Sequence, residues 1–379
     1  MSMVSAWRAV LPAFVVSRVG LLLIGYASLR MAPLGPHDAP WQFLPNALVF
    51  DGLVRWDSGW YRTIIAWGYY YESLKHENVH FFPVYPLLVR GVMTVIPQSL
   101  GPDAAFAYAA VFVSHVACYL GLAGVCTLAR LKSDEAAAER CVWLMCVFPY
   151  SFFFSAAYTE STYLAFAVWA FVHAERQQWA RASLLAALAS GTRIPGLFVG
   201  ASIAWICFAE RRRRVSAPGK DALWLLAAPL GCLVYAAYVG IRFHDPLLLF
   251  HVSTNLPGHY ARGIFMHIAH VFVQPHDLAS LIERTTIILS LFSLAFVLWM
   301  SLVAGRLFGS AYALFPLASI ALPSLYTLDA NGRYASVLFP VFMAAAVTVP
   351  TPLYRVACAV SVTVGAAIFA LFARWRHIT

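Results

Sequence analysis

The chain has 379 residues, of which 61% are hydrophobic and only 11% charged, with 26 Lys and Arg against 17 Asp and Glu for a net charge of +9. Soluble domains average about 25% charged residues, so this composition excludes a single water-soluble core and points to repeated apolar helices that cross a membrane. The basic excess lies mostly as arginines at the ends of apolar runs, which argues for anchoring to lipid headgroups and against nucleic-acid binding.

The first apolar run, 9–29, is too long for a signal-peptide core and contains Arg18; it is expected to be a retained span. A polar connection at 30–80 follows. Its sequence "PWQFLPNALVFDGLVRWDSGWYRTIIAWGYY" alternates apolar and polar residues at helical spacing. That pattern predicts short interfacial helices, with Trp and Tyr at headgroup depth. Asp51 and Arg55 stand at i, i+4 and read as an ordinary helix pair. Asp57 has no basic residue at i±3 or i±4, and Gly59 follows it. Two readings stay open for Asp57. It is a general base whose pKa rises beside a low-dielectric surface, or it is the N-cap of "DSGWYRTII". Trp60 and Tyr61 read as interfacial anchors of the loop.

Next comes "HFFPVYPLLVR". His80 could touch a phosphate or an acceptor hydroxyl, or sit at the interface without a role. Further spans are expected at 81–97, 104–130, 140–156, 158–174, 182–208, 221–241, 285–305, 311–327, 333–349 and 353–373, about eleven with the first. In "FPYSFFFSAAYTESTYLAF", Glu160 is an acid at a membrane edge. Such residues are functional candidates, the alternatives being a cap or a solvated loop acid. "ASGTRIPGLF" puts Arg193 and Pro195 inside the 182–208 run. Pro195 should kink that span, and Arg193 should bind phosphate or pair with an acid such as Glu160. The run "ERRRRVSAPGK", 210–220, should be cytoplasmic. Counting spans from it places the N-terminus in the cytoplasm and the 30–80 and 242–284 connections outside. The same count leaves "TLARLKSDEAAAER" outside, despite its basic residues. In "LDANGRYASVLFPVF", Asp329, Asn331, Arg333 and Tyr334 form the mouth of a span; Arg333 binds an anion or snorkels to the interface.

Five histidines fall between 251 and 276, including His267 and His270, without a spacing that completes a metal site. The seven cysteines lie in or beside apolar runs and form no CxxC, so they read as packing residues. There is no Walker A, GxGxxG, HExxH or GxSxG. No metal or cofactor is expected, and if the protein is an enzyme its activated donor arrives through the membrane. No internal repeat is evident.

Taken in order, "RWDSGWYRTIIAWGY", "HFFPVYPLLVR", "FPYSFFFSAAYTESTYLAF", "SGTRIPGLF" and "NGRYASVLFPVF" resemble the PIG-V family of mannosyltransferases. The resemblance implies an all-α polytopic membrane protein of GT-C-like fold, with residues 1–379 forming one transmembrane glycosyltransferase domain in the cytoplasmic membrane of a prokaryote and the active site on the extracytoplasmic face. It implies inverting transfer of a hexose, mannose first, from a polyprenyl-phosphate sugar to a lipid-linked or extracytoplasmic glycan acceptor. Asp57 matches the family's loop acid and would be the catalytic base. Glu160, Arg193, Arg333 and Tyr334 match its other motifs and, with His80, Trp60 and Tyr61, would bind donor phosphate and substrate. The alternative is a transporter or flippase of lipid-linked sugars, which needs no base and places its polar residues near the bilayer midplane.

Overall fold

The computed structural model describes residues 3–35, 42–73, 76–214, 219–248, 273, 278–324 and 330–376. Asp329, His267 and His270 lie outside the described residues.

The chain is a bundle of helices. Apolar runs without internal breakers produce the long ones: α1 (Met3–Met31), α5 (Pro102–Lys132), α11 (Leu278–Phe308) and α15 (Thr351–Ala373). Proline starts α5, where its missing N–H costs nothing. Among the described residues, four helices are long and apolar enough to cross a membrane. A fifth span results if residues 220–227 and α10 (Leu230–Phe243), bent by 42° to each other, count as one. The expected eleven spans are therefore not all of that kind. The others are shorter helices: α6 (Glu135–Val147), α7 (Glu160–Glu175), α8 (Trp179–Ser190), α9 (Gly196–Arg214), α12 (Ala311–Ser324) and α14 (Phe339–Thr348). Several are buried on all sides, α7 and α14 most fully. At Gly124 the bundle packs so closely that an added Cβ would come within 2.5 Å of Val168 Cγ1, the small-residue contact common between membrane helices.

Four expected spans need correction. The 140–156 run is α-helical only to Val147, and the 333–349 run is split into Asn331–Ser336 and α14. The other two change the course of the chain. The 81–97 run forms only α4 (Val84–Met93). It starts beside Gly191, to whose carbonyl Val84 N donates at 3.2 Å. The chain then turns through Pro97 and Gly101 and starts α5 where Arg62 of the first loop pairs with Asp103 at 2.8 Å. Both ends of this run thus lie at one end of the bundle. The 182–208 run is not one kinked helix. It is α8 and α9, and the chain reverses at Gly191–Pro195, because Pro195 withholds an N–H and the preceding residues turn.

The two changes alter the side of one loop. Lys132, the last residue of α5, pairs with Glu175, the last residue of α7, at 3.0 Å. The same corner holds Trp205 to Ala209 of α9, just before the arginine run. "TLARLKSDEAAAER" therefore shares the end of "ERRRR", contrary to the count above, as the positive-inside bias requires.

The opposite end carries the 30–80 connection. It holds two short helices, α2 (Leu48–Asp51) and α3 (Ser58–Trp67), and two short antiparallel strands, β1 (Tyr71–Ser73) and β2 (His76–Glu77). The strands were not expected from the sequence. Asp51 and Arg55 do pair, but in successive turns and not along a helix, and both side chains are fully buried. Arg55 Nε donates to Ala373 O at 2.8 Å and its guanidinium lies 5.3 Å from the Trp375 ring. This pair fastens the first loop to the end of α15.

Candidate active site

Five elements converge at this loop-bearing end. Asp57 comes from the start of α3. Trp56 before it has φ +52, a left-handed conformation disfavoured for a bulky residue, which turns the chain into α3. Asp57 occupies the N-cap position, but its side chain makes no cap bond and its φ/ψ is helical. The capping alternative is thus not realised. The carboxylate instead points to Arg333, whose Nη1 donates to Oδ2 at 2.6 Å across 276 residues of chain. The missing in-helix cation is replaced by a tertiary one.

Arg333 belongs to the short α13 (Asn331–Ser336) and carries the centre of the network. Its Nε donates to Glu160 Oε1, and Arg193 Nη1 donates to the same oxygen. Arg193 also reaches Thr159 Oγ1 at 3.5 Å. The four groups form a chain Asp57–Arg333–Glu160–Arg193 of net charge zero. The Glu160 carboxylate is fully buried, Arg193 and Arg333 are 10% and 13% exposed, and Asp57 is 30% exposed. One carboxylate therefore holds two guanidiniums from inside, while the other faces the opening. Buried charges survive only when paired and hydrogen-bonded, which is why acids and arginines arrive here together.

Aromatic rings complete the walls. The Arg333 guanidinium lies 5.1 Å from the ring centroid of Phe153 and 4.5 Å from that of Tyr158, and Arg193 lies 4.9 Å from that of Tyr334, all within cation–π range. Tyr158 Oη accepts a hydrogen bond from Asp57 N at 3.2 Å. Phe153, Tyr158 and Thr159 were not singled out in the sequence. They fall in "FPYSFFFSAAYTES", where the only signal was an unusual density of aromatics before an acid.

The turn between α6 and α7 presents these residues. Arg18 of α1, itself 3% exposed, donates to Ser151 O at 2.9 Å, Cys146 O at 3.1 Å and Ser155 Oγ at 3.1 Å. It satisfies carbonyls that the broken helix leaves open. On the far side of the same turn, Ala157 N donates to Leu53 O at 2.9 Å. The turn is thus tied to the first loop.

Tyr61 is buried on α3, and its phenol is pushed above its ordinary range, by burial first; it also interacts with Thr159. Trp60 stacks on Phe81 at 6.1 Å, and His80 lies on the same ring at 4.3 Å. His80 keeps solvent access, yet desolvation lowers its pKa, against the pull of the Asp57 carboxylate. That shift favours the uncharged imidazole over the cation. Gly59 sits within α3 and does not break it; an added Cβ would meet open space. All eight expected site residues thus lie at one end of the bundle, with Asp57, Glu160, Arg193 and Arg333 in direct contact. Among the described residues no group of three or more His, Cys, Asp or Glu could hold a metal ion.

These features define a polytopic helical protein with a solvent-accessible carboxylate and a buried arginine pair at one mouth. Residues 33–217 match the family model described as Mannosyltransferase (PIG-V), so the PIG-V resemblance is shown through the segment that supplies Asp57, His80, Glu160 and Arg193. Arg333 and Tyr334 lie beyond the matched residues. No curated protein matches the chain significantly. Similar solved structures include the Archaeoglobus fulgidus oligosaccharyltransferase in complex with Zn and sulfate, at 14% identity and TM-score 0.45, covering 97% of this chain and 53% of that one. Another is the oligosaccharyltransferase AglB of the same organism, in complex with an inhibitory peptide and a dolichol-phosphate. It shows 13% identity and TM-score 0.47, covering 95% of this chain and 56% of that one. The chain spans about half the length of these proteins.

Proposed function

We propose that this protein is an inverting glycosyltransferase of GT-C type that transfers a hexose, mannose, from a polyprenyl-phosphate sugar to a lipid-linked or extracytoplasmic glycan acceptor. The observation that carries the reading is the Asp57–Arg333–Glu160–Arg193 chain, open at Asp57. Asp57 accepts the proton of an acceptor hydroxyl while that oxygen attacks the anomeric carbon. The bond from the anomeric carbon to the phosphate oxygen breaks, and polyprenyl phosphate leaves with the electron pair. Arg333 and Arg193 stabilise the charge that develops on it. A single displacement needs one essential carboxylate, whereas retention would need a second as nucleophile. Glu160 is unsuited to that second role because its side chain is fully buried behind the two arginines.

The ion pair between Asp57 and Arg333 gives the donor a second effect. Phosphate oxygens that engage Arg333 compete with Asp57 for its N–H groups, and a carboxylate released from a guanidinium is the stronger base. His80 adds a hydrogen bond from its imidazole. Trp60 and Tyr61 offer ring faces to the sugar. The basic run 210–214 at the opposite end supports a cytoplasmic location for that end and an extracytoplasmic mouth, in the cytoplasmic membrane of a prokaryote.

The test uses the purified protein, labelled polyprenyl-phosphate mannose and a lipid-extract acceptor. Asp57→Asn should lower transfer by about 10²–10⁴-fold, the range of general-base catalysis, with donor binding retained. Undiminished transfer by this variant would remove Asp57 from its role. Movement of the donor between leaflets of liposomes, with no glycosidic bond formed, would support a flippase instead.

A further inference from the structure

A polar cavity, of about 340 Å³, lies at the end of the bundle opposite the mouth. Helix α7 joins the two: Glu160 is its first residue and Glu175 its last, about 22 Å apart at 1.5 Å per residue. The walls come from the last residues of two candidate spans, Lys132 of α5 and Phe308 of α11. The cavity therefore sits where those spans leave the apolar layer, at headgroup depth.

Its chemistry is specific. Lys132 Nζ lies 3.0 and 3.1 Å from the two oxygens of Glu175, and Tyr312 Oη donates to Glu175 Oε1 at 2.8 Å. The ammonium also faces the Tyr312 ring at 5.1 Å. Both charged side chains are about one-fifth exposed, so each keeps hydrogen-bonding capacity toward the cavity. The rim carries Gln177 in a left-handed conformation, φ +58, and Ser310, whose hydroxyl accepts from Trp205 Nε1 at 2.7 Å. Trp205 and Phe208 of α9 are more than half exposed, an apolar rim at the level of the cavity.

We propose that this cavity binds the headgroup of a zwitterionic aminophospholipid. The pair sets the ligand's charge. An anion alone would meet Glu175, and a cation alone would meet Lys132. A headgroup with one phosphate and one primary ammonium satisfies both at once, phosphate on Lys132 and ammonium on Glu175 beside the Tyr312 and Trp205 rings. The cavity lies where α5 and α11 leave the apolar layer, and the exposed Trp205 and Phe208 border it at that depth, which makes a membrane lipid and not a free headgroup the occupant. The site owes nothing to the proposed transfer reaction and stands or falls without it.

The test titrates the full-length protein in detergent with dioleoyl phosphatidylethanolamine, phosphatidylcholine and phosphatidylglycerol, and with soluble glycerophosphoethanolamine, counting bound molecules by native mass spectrometry. Phosphatidylethanolamine should be retained about tenfold better than phosphatidylcholine, whose trimethylammonium cannot donate to Glu175. Glu175→Gln leaves a net positive cavity and should shift the preference to phosphatidylglycerol. Lys132→Gln, which leaves Glu175 its bond from Tyr312, should weaken retention of every phospholipid. Equal retention of the three lipids by the wild type overturns the proposal, as does an order of preference unchanged in both variants. Binding of the soluble headgroup as tight as that of the lipid overturns the lipid as occupant and marks a soluble zwitterion site.

Discussion

Arg333 carries more of the site than any other single residue. Its planar fork reaches Asp57 with Nη1 and Glu160 with Nε while its faces lie against Phe153 and Tyr158. A lysine offers one point charge and no plane. Arg333→Lys should therefore keep the fold and lower transfer by roughly 10–100-fold through misplacement, read in the transfer assay beside a thermal melt. Glu160→Gln tests the inner half of the network. It leaves two guanidiniums with no buried counter-charge, and breaking a buried pair costs about 3–5 kcal/mol; the melting temperature should fall sharply even without substrate. His80 gives the pH dependence. Its folded pKa is below its unfolded value of about 6.5. Between the two, the unfolded chain holds more protons, so stability rises with pH there and is lost as pH falls below about 6.5. His80→Gln should flatten that limb of a melting-temperature-against-pH curve.

At the scale of elements, the turn between α6 and α7 is the decisive piece, because it sets Tyr158, Thr159 and Glu160 beside a loop a hundred residues away in sequence. Arg18 holds its carbonyls from α1. Arg18→Met should destabilise the protein by roughly 2–5 kcal/mol, since several buried acceptors lose a charged donor, which denaturation of the detergent-solubilised protein measures. Helix α13 is seated by close approach. A Cβ on Gly332 would come within 2.0 Å of the buried Tyr150 ring, so Gly332→Ala must displace α13 and Arg333 with it. Transfer should fall at least as far as in Arg333→Lys. The sequence pattern found the long helices and the amphipathic α3, but it joined α8 and α9 into one span. Hydropathy averages over a turn made by Pro195 when apolar residues flank it on both sides. It also extended α4 to a span, because residues 81–97 are apolar enough without forming a helix of the necessary length.

For the whole molecule, the two ends differ in kind. One holds the first loop, the Asp57 network and the start of α7; the other holds Lys132, Glu175 and the start of the arginine run. Single cysteines at Gly59 and at Ser310, in a background without the seven native ones, should react with an impermeant maleimide from opposite sides of the membrane. Labelling of both from one side would contradict this arrangement. Composition and the length of the apolar runs determined that the chain is an apolar helical bundle, since 61% hydrophobic residues do not fit a soluble core and runs of about 20 residues span as helices and not as strands. Motif order determined which polar residues to bring together, because charges in such a chain persist only where they have a use or a partner. The tertiary structure alone decided who the partners are. Asp57 and Arg333 lie 276 residues apart, and no periodicity along a chain encodes a contact made across a bundle. It also decided that the basic loop after α5 lies with the arginines of α9. That depends on where the chain reverses, and reversals are set by a few turn residues whose signal is local and small beside the hydropathy of the helices they separate.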